Sequence, residues 1–255
     1  MATGRDLLRV SVGLEQAPGK RLSAWALNVP GASGIGWTAE EAVADLELEL
    51  GDWIRFFHSA GEPVPDEDEE IELAVDEWLL ADEPEPDHPV PVIFDCDLEP
   101  LTRQDVERGL QRLGEMRRRL LARIRHERED VLERRAGNGK TVRENLEELA
   151  RMHWWTLSRL GASPMAEVPE KTVARLDTSM ALVVQTLTML PDEKRAQLLV
   201  LDNQEWTPRK VMRRLLWLEW ILGNAALNGL GVQGPPRATP RGPVLQPNLP
   251  PNRLN

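Results

Sequence analysis

The spacing of apolar residues along the chain changes period three times, and each change predicts a new kind of element. Leu7–Val12 and Leu22–Val29 are short, partly alternating apolar runs bounded by Gly and Pro. They predict two strands joined by a turn over Gln16–Lys20. Gly34–Trp37 predicts a third, very short strand. Thr38, with Glu41 three residues on, then signals a helix start. Ala42, Leu46, Leu50, Trp53, Ile54 and Phe57 recur at helical spacing as one buried face, and Gly61 ends the helix. Glu70–Leu80 alternates at Ile71, Leu73 and Val75, which predicts a strand. Strand, strand, short strand, helix, strand is the order of a small α+β domain with one helix on a sheet.

From Leu98 onward the period stays helical. Thr102 and Asp105 open a long helix whose stripe is Val106, Leu110, Leu113, Leu120 and Ile124, interrupted by Arg117. Thr141 and Glu144 form a capping box for a second, with Val142, Leu146, Leu149, His153, Leu157 and Leu160 facing inward. Thr172–Leu190 predicts a third, stopped by Pro191, and Asp192–Val200 a shorter helical continuation. Thr207 caps the last helix, with Pro208 at its first position, where a missing N–H costs nothing. Val211, Leu215, Leu218, Leu222 and Ala225 form its stripe, widened by Met212, Leu216, Trp220 and Ile221. So apolar a helix belongs in the middle of an all-α four-helix bundle. The resulting plan is an α+β domain over 1–80, an acidic Pro-rich linker over 81–94, the bundle over 95–228 and a Pro-rich disordered tail over 229–255.

Charge sharpens this division. Residues 1–87 hold 5 Lys and Arg against 21 Asp and Glu, a net of −16, whereas the remainder is net +5. The acidic part is unsuited to phosphate contacts. Eight Arg fall within Arg117–Arg135, but Glu127, Glu129, Asp130 and Glu133 interleave with them. That pattern reads as a solvated helix face laced with i,i+4 pairs, without aromatics to stack on bases, so no nucleic acid is expected. No apolar run has membrane-spanning length, no secretory signal is visible, and Cys96 is the single cysteine. A cytoplasmic protein with no membrane association is the expectation.

Two stretches resemble known families. Trp25, Pro30, Gly31, Gly36, Thr38, Glu40, Glu41 and Ala42 follow the signature of HicB-like (antitoxin-like) domains. That resemblance covers about residues 5–80 and implies the α+β fold. Antitoxin members add a small DNA-binding module after this domain, and none is recognisable here. Arg209, Val211, Arg213, Arg214, Trp217 and Glu219 resemble the last-helix frame of DinB/YfiT-like four-helix bundles. In that family two His on this helix and one on the second helix bind a divalent metal. The matching positions here are Leu218, Leu222 and Glu148, with His153 at the neighbouring position of the second helix.

One carboxylate and two leucines do not make a first coordination shell. The sequence therefore predicts no metal, no cofactor and no catalytic residue, with a pocket at Glu148, His153, Leu218 and Leu222. Glu148 reads as a helix carboxylate paired with an Arg such as Arg213 or Arg214, and His153 as a hydrogen-bonded core residue. Trp154, Trp155, Trp217 and Trp220 read as core and seam residues or as the lining of a pocket. The expected function is a non-catalytic binding or regulatory protein, contacting a protein partner or itself. The alternative is a DinB-like metal-dependent hydrolase or thiol transferase with a rearranged site.

Overall fold

The computed structural model describes residues 7–16, 19, 21–64, 70–81, 92–162 and 168–232. The chain divides into two compact units, one running to Phe94 and the other Asp95–Gly234. Most of the expected linker and tail, residues 82–91 and 233–255, lies outside the described residues.

The first unit is a four-stranded sheet with one helix. Strands β1 (Leu7–Gln16), β2 (Leu22–Ala26) and β3 (Ser33–Gly36) precede helix α1 (Ala39–Ser59), and β4 (Glu70–Leu80) follows it. The order across the sheet is β3-β2-β1-β4. β1 pairs antiparallel with β2, and β4 pairs parallel with β1 by way of the α1 crossover. Val10, Val12 and Leu14 alternate into the core, and all six predicted α1 positions from Ala42 to Phe57 are buried. Gly34 and Gly36 set how closely α1 approaches β3. A Cβ on Gly34 would lie 2.1 Å from Leu46 N, and one on Gly36 would lie 2.3 Å from Ala42 N.

Two details depart from the sequence reading. β2 ends at Ala26 rather than Val29, because the Asn28 side chain takes over the pairing with β1. Its amide oxygen accepts from Ser11 N at 3.0 Å and its Nδ2 donates to Arg9 O at 3.0 Å. β4 carries a bulge, since Val12 pairs with Val75 but Gly13 pairs with Glu77. The extra residue, Asp76, accepts hydrogen bonds from the side chains of Arg9 and Ser11, each at 2.6 Å.

The second unit holds four long helices: α2 (Arg103–Ile124), α4 (Val142–Ser158), α5 (Thr172–Thr188) and α6 (Pro208–Gly229). A single turn, α3 (Glu129–Leu132), separates α2 from α4. The predicted caps form: Thr102 with Asp105 and Thr141 with Glu144 are reciprocal capping boxes, and Thr207 accepts from Lys210 N. α6 neighbours α2 and α4, and α5 neighbours the same two, so the four helices close a ring. Leu120, Leu146, Leu149, Leu176, Leu218 and Leu227 belong to one continuous apolar core. The single cysteine, Cys96, is half-buried.

The expected helix over Asp192–Val200 is not formed. A short 3-10 turn, Asp192–Lys194, leads instead into a hairpin of β5 (Leu199–Leu201) and β6 (Gln204–Trp206). Asp202 and Asn203 both take positive φ, 52° and 61°, the conformation that a tight two-residue hairpin demands. An edge-to-face contact of Trp206 with Trp155 on α4, 5.4 Å between centroids, fastens the hairpin to the bundle.

Candidate functional site

The residue that broke the apolar stripe of α2 is the centre of the bundle's polar interior. Arg117 is 4% exposed and lies between Leu113 and Leu120 on the buried face. Its Nε donates to Glu219 Oε1 at 2.7 Å and its Nη2 to Glu219 Oε2 at 2.8 Å, a bidentate pair between α2 and α6. Its Nη1 donates to the carbonyl of Leu176 on α5. From α4, His153 brings Nε2 to 3.4 Å from Glu219 Oε2. Arg117, His153, Leu176 and Glu219 thus tie all four long helices at one buried point.

Three influences act on His153 there, in opposite directions. The nearby Glu219 carboxylate favours the imidazolium, whereas complete burial and the Arg117 charge favour the neutral ring. Burial is the largest, and the pKa falls from the ordinary 6.5 to about 4. Both carboxylate oxygens are already bound to Arg117, which weakens their pull on His153. Among the described residues neither ring nitrogen makes a hydrogen bond, and the buried hydroxyl of Thr156, one turn along α4, makes none either.

A second buried pair anchors the start of the unit. Asp97 receives Arg213 Nε at 3.0 Å and Nη2 at 2.6 Å, and its backbone carbonyl accepts from the Thr207 hydroxyl at 2.6 Å. Arg209 donates to the carbonyls of Glu99 and Pro100 and to Asp105. Arg214 stacks on Trp217. The Arg209, Arg213, Arg214 and Glu219 frame therefore holds segments of the bundle together.

The predicted pocket residues are distributed differently from one another. Leu218 is 4% exposed within the leucine core, and Leu222 packs against that core. Glu148 is only half-buried and reaches Lys140, with Arg151 at 3.9 Å; Arg213, suggested as its partner, binds Asp97 instead. His153 turns to Glu219. Glu148 and His153 thus belong to separate polar groups. Sequence reasoning missed Arg117 and Glu219 as a pair; the one available signal was an Arg at a stripe position, with its partner 102 residues away. Among the described residues no group of three or more His, Cys, Asp or Glu is gathered where it could hold a metal ion. Among the described residues, too, no helix is long and apolar enough to cross a membrane.

Comparison with protein-family models gives no match, and comparison with curated proteins gives none either. Among solved structures the chain is similar to TT2238, a four-helix bundle protein, at 21% identity. The match covers 49% of this chain and 95% of that one, with a TM-score of 0.34, too low to bear on function.

Proposed function

We propose that this chain is a non-catalytic binding protein, with a HicB-like acidic unit that contacts a protein partner and a DinB-like bundle that has become a scaffold. The carrying observation is Leu218, which stands where the DinB-like frame would place a metal ligand and is packed among core leucines. Its neighbour on the helix, Glu219, is bound through both oxygens by Arg117. A carboxylate held in this way has little capacity left for a metal, and Glu148 is engaged at the surface with Lys140.

The rearranged-site reading has one observation in its favour, the fully buried imidazole of His153, both of whose nitrogens lack hydrogen bonds among the described residues. One experiment separates the two. Protein purified without a histidine tag is dialysed and its Zn, Mn, Ni and Fe content measured, followed by calorimetric titration with Zn. The expected result is no retained stoichiometric metal and no binding heat. Close to one equivalent surviving dialysis, lost on His153→Gln, would replace the scaffold reading with the enzyme one.

A further inference from the structure

The strand β3 presents two unlike faces. Gly34 and Gly36 lie against α1 with no room for a side chain, so the alternate residues Ile35 and Trp37 point away from it. Ile35 is 43% exposed and Trp37 66%, an unusual exposure for an indole. The outer edge of this strand is not open to a further strand there. Ile35 N donates to Asp45 Oδ2 at 2.9 Å and Trp37 N to Glu41 Oε2 at 2.7 Å, so α1 carboxylates occupy those edge N–H groups. What remains available is the side-chain surface: an indole, an isoleucine and the exposed carboxylates at the start of α1. Glu40 is held ionised below the usual carboxylate range by backbone and Thr38 hydrogen bonds at the helix N-terminus. One face of Trp37 already takes a cation, the Arg21 guanidinium 5.3 Å from the ring centre.

An aromatic surface bordered by carboxylates, on a unit of strongly negative charge, suits a ligand that is proline-rich and basic. Polyproline II segments dock on exposed aromatic rings at little entropic cost, and a flanking Arg finds the acids. The chain contains such a segment. Residues 233–255 hold seven prolines, three Arg and no Asp or Glu, and Arg237-Ala238-Thr239-Pro240-Arg241-Gly242-Pro243 spaces Arg, Pro and Pro three apart. That spacing matches the three-residue turn of polyproline II, which on binding would bring Arg237, Pro240 and Pro243 to one edge. We propose that the Arg237–Pro243 run of this chain docks on the Ile35–Trp37 surface, with Pro240 and Pro243 against the indole and Arg237 toward Glu40. The contact stands or falls independently of whether the bundle binds a metal.

The test uses full-length protein whose own run is disabled by Arg237→Ala, Pro240→Ala and Pro243→Ala, titrated with a synthetic peptide of residues 233–255. Saturable binding, weakened about tenfold or more by Trp37→Ala in the protein, is the expected result. The exposed Trp37 side chain can be removed without opening a core, and matching circular dichroism verifies that the fold is kept. Binding should also weaken in high salt. Equal binding by a scrambled peptide of the same composition overturns the proposal, because bulk charge alone would then explain it. Absence of binding at millimolar peptide overturns it too, as does binding untouched by Trp37→Ala. A second readout needs no peptide: trypsin should cut after Arg237 and Arg241 several-fold faster in full-length Trp37→Ala than in the parent. Equal rates would contradict the contact.

Discussion

Arg117 sits in the apolar stripe of α2 and is accommodated there because Glu219 binds it through both carboxylate oxygens. An Arg in an apolar stripe and an Arg on a solvated face differ only in whether a carboxylate waits opposite, which the local sequence does not encode. The buried pair has a definite energetic signature. Removing one partner strands a charge in the bundle, whereas removing both restores an apolar interior. Arg117→Met should therefore lose on the order of 3–5 kcal/mol in urea unfolding, and adding Glu219→Leu should recover much of it. Strictly additive losses would mean that the two side chains do not depend on each other. His153 gives the bundle a pH dependence whose sign follows from its depressed pKa. Between about pH 6.5 and 4 the unfolded chain takes up a proton that the folded chain refuses. Stability is complete above that window, falls as pH drops through it, and stops falling on this account below about 4. A shift from 6.5 to about 4 corresponds to a loss on the order of 3 kcal/mol. His153→Gln should flatten the stability profile in this window. An NMR titration of the parent that finds His153 protonated near pH 6.5 would contradict the assignment.

At the scale of elements, patterns of period 3.6 and their caps were the most legible part of the chain. Thr38, Thr102, Thr141 and Thr207 all start helices where their hydroxyls accept backbone N–H bonds, as the sequence predicts. Local chemistry decides those starts, so local sequence reveals them. The helix expected over Asp192–Val200 failed because its signal was weak and a turn signal competed with it. Leu199, Leu201, Gln204 and Trp206 alternate around Asp202-Asn203, two residues that tolerate positive φ. This turn can be tested directly. Asn203→Gly suits φ 61° and should leave stability unchanged or slightly higher. Asn203→Val forces a β-branched residue into the left-handed region and should lose about 1–2 kcal/mol. Equal stability of the two variants would show that the hairpin does not require this turn. The end of β2 teaches a similar lesson: Asn28 substitutes a side-chain amide for two ladder bonds, an exchange that apolar patterning cannot register.

At the scale of the whole molecule, composition sharpens a division that the change of apolar period already implies. The acidic excess lies in the part of the sequence that contains β1–β4 and α1, whereas the bundle surface is laced with opposite charges. Arg123 with Glu127 and Arg143 with Glu129 and Glu133 are instances. These two distributions respond to salt in opposite directions. In the first unit, screening relieves repulsion among like charges and should stabilise the fold. In the bundle, screening weakens exposed pairs, each contributing about 0–1 kcal/mol, and leaves the buried Arg117–Glu219 and Arg213–Asp97 pairs largely untouched. Hydrogen exchange can follow both units in one sample, because the amides of Val10–Leu14 report the sheet and those of Leu215–Leu218 report α6. Raising salt from about 0.02 M to about 0.5 M, a several-fold shorter screening length, should slow exchange in β1 and leave α6 unchanged or slightly faster. Equal slowing in both would point to a general salt effect on burial rather than to the charge division. No slowing in β1 would mean that its like charges are already too far apart, or too well solvated, to strain the fold.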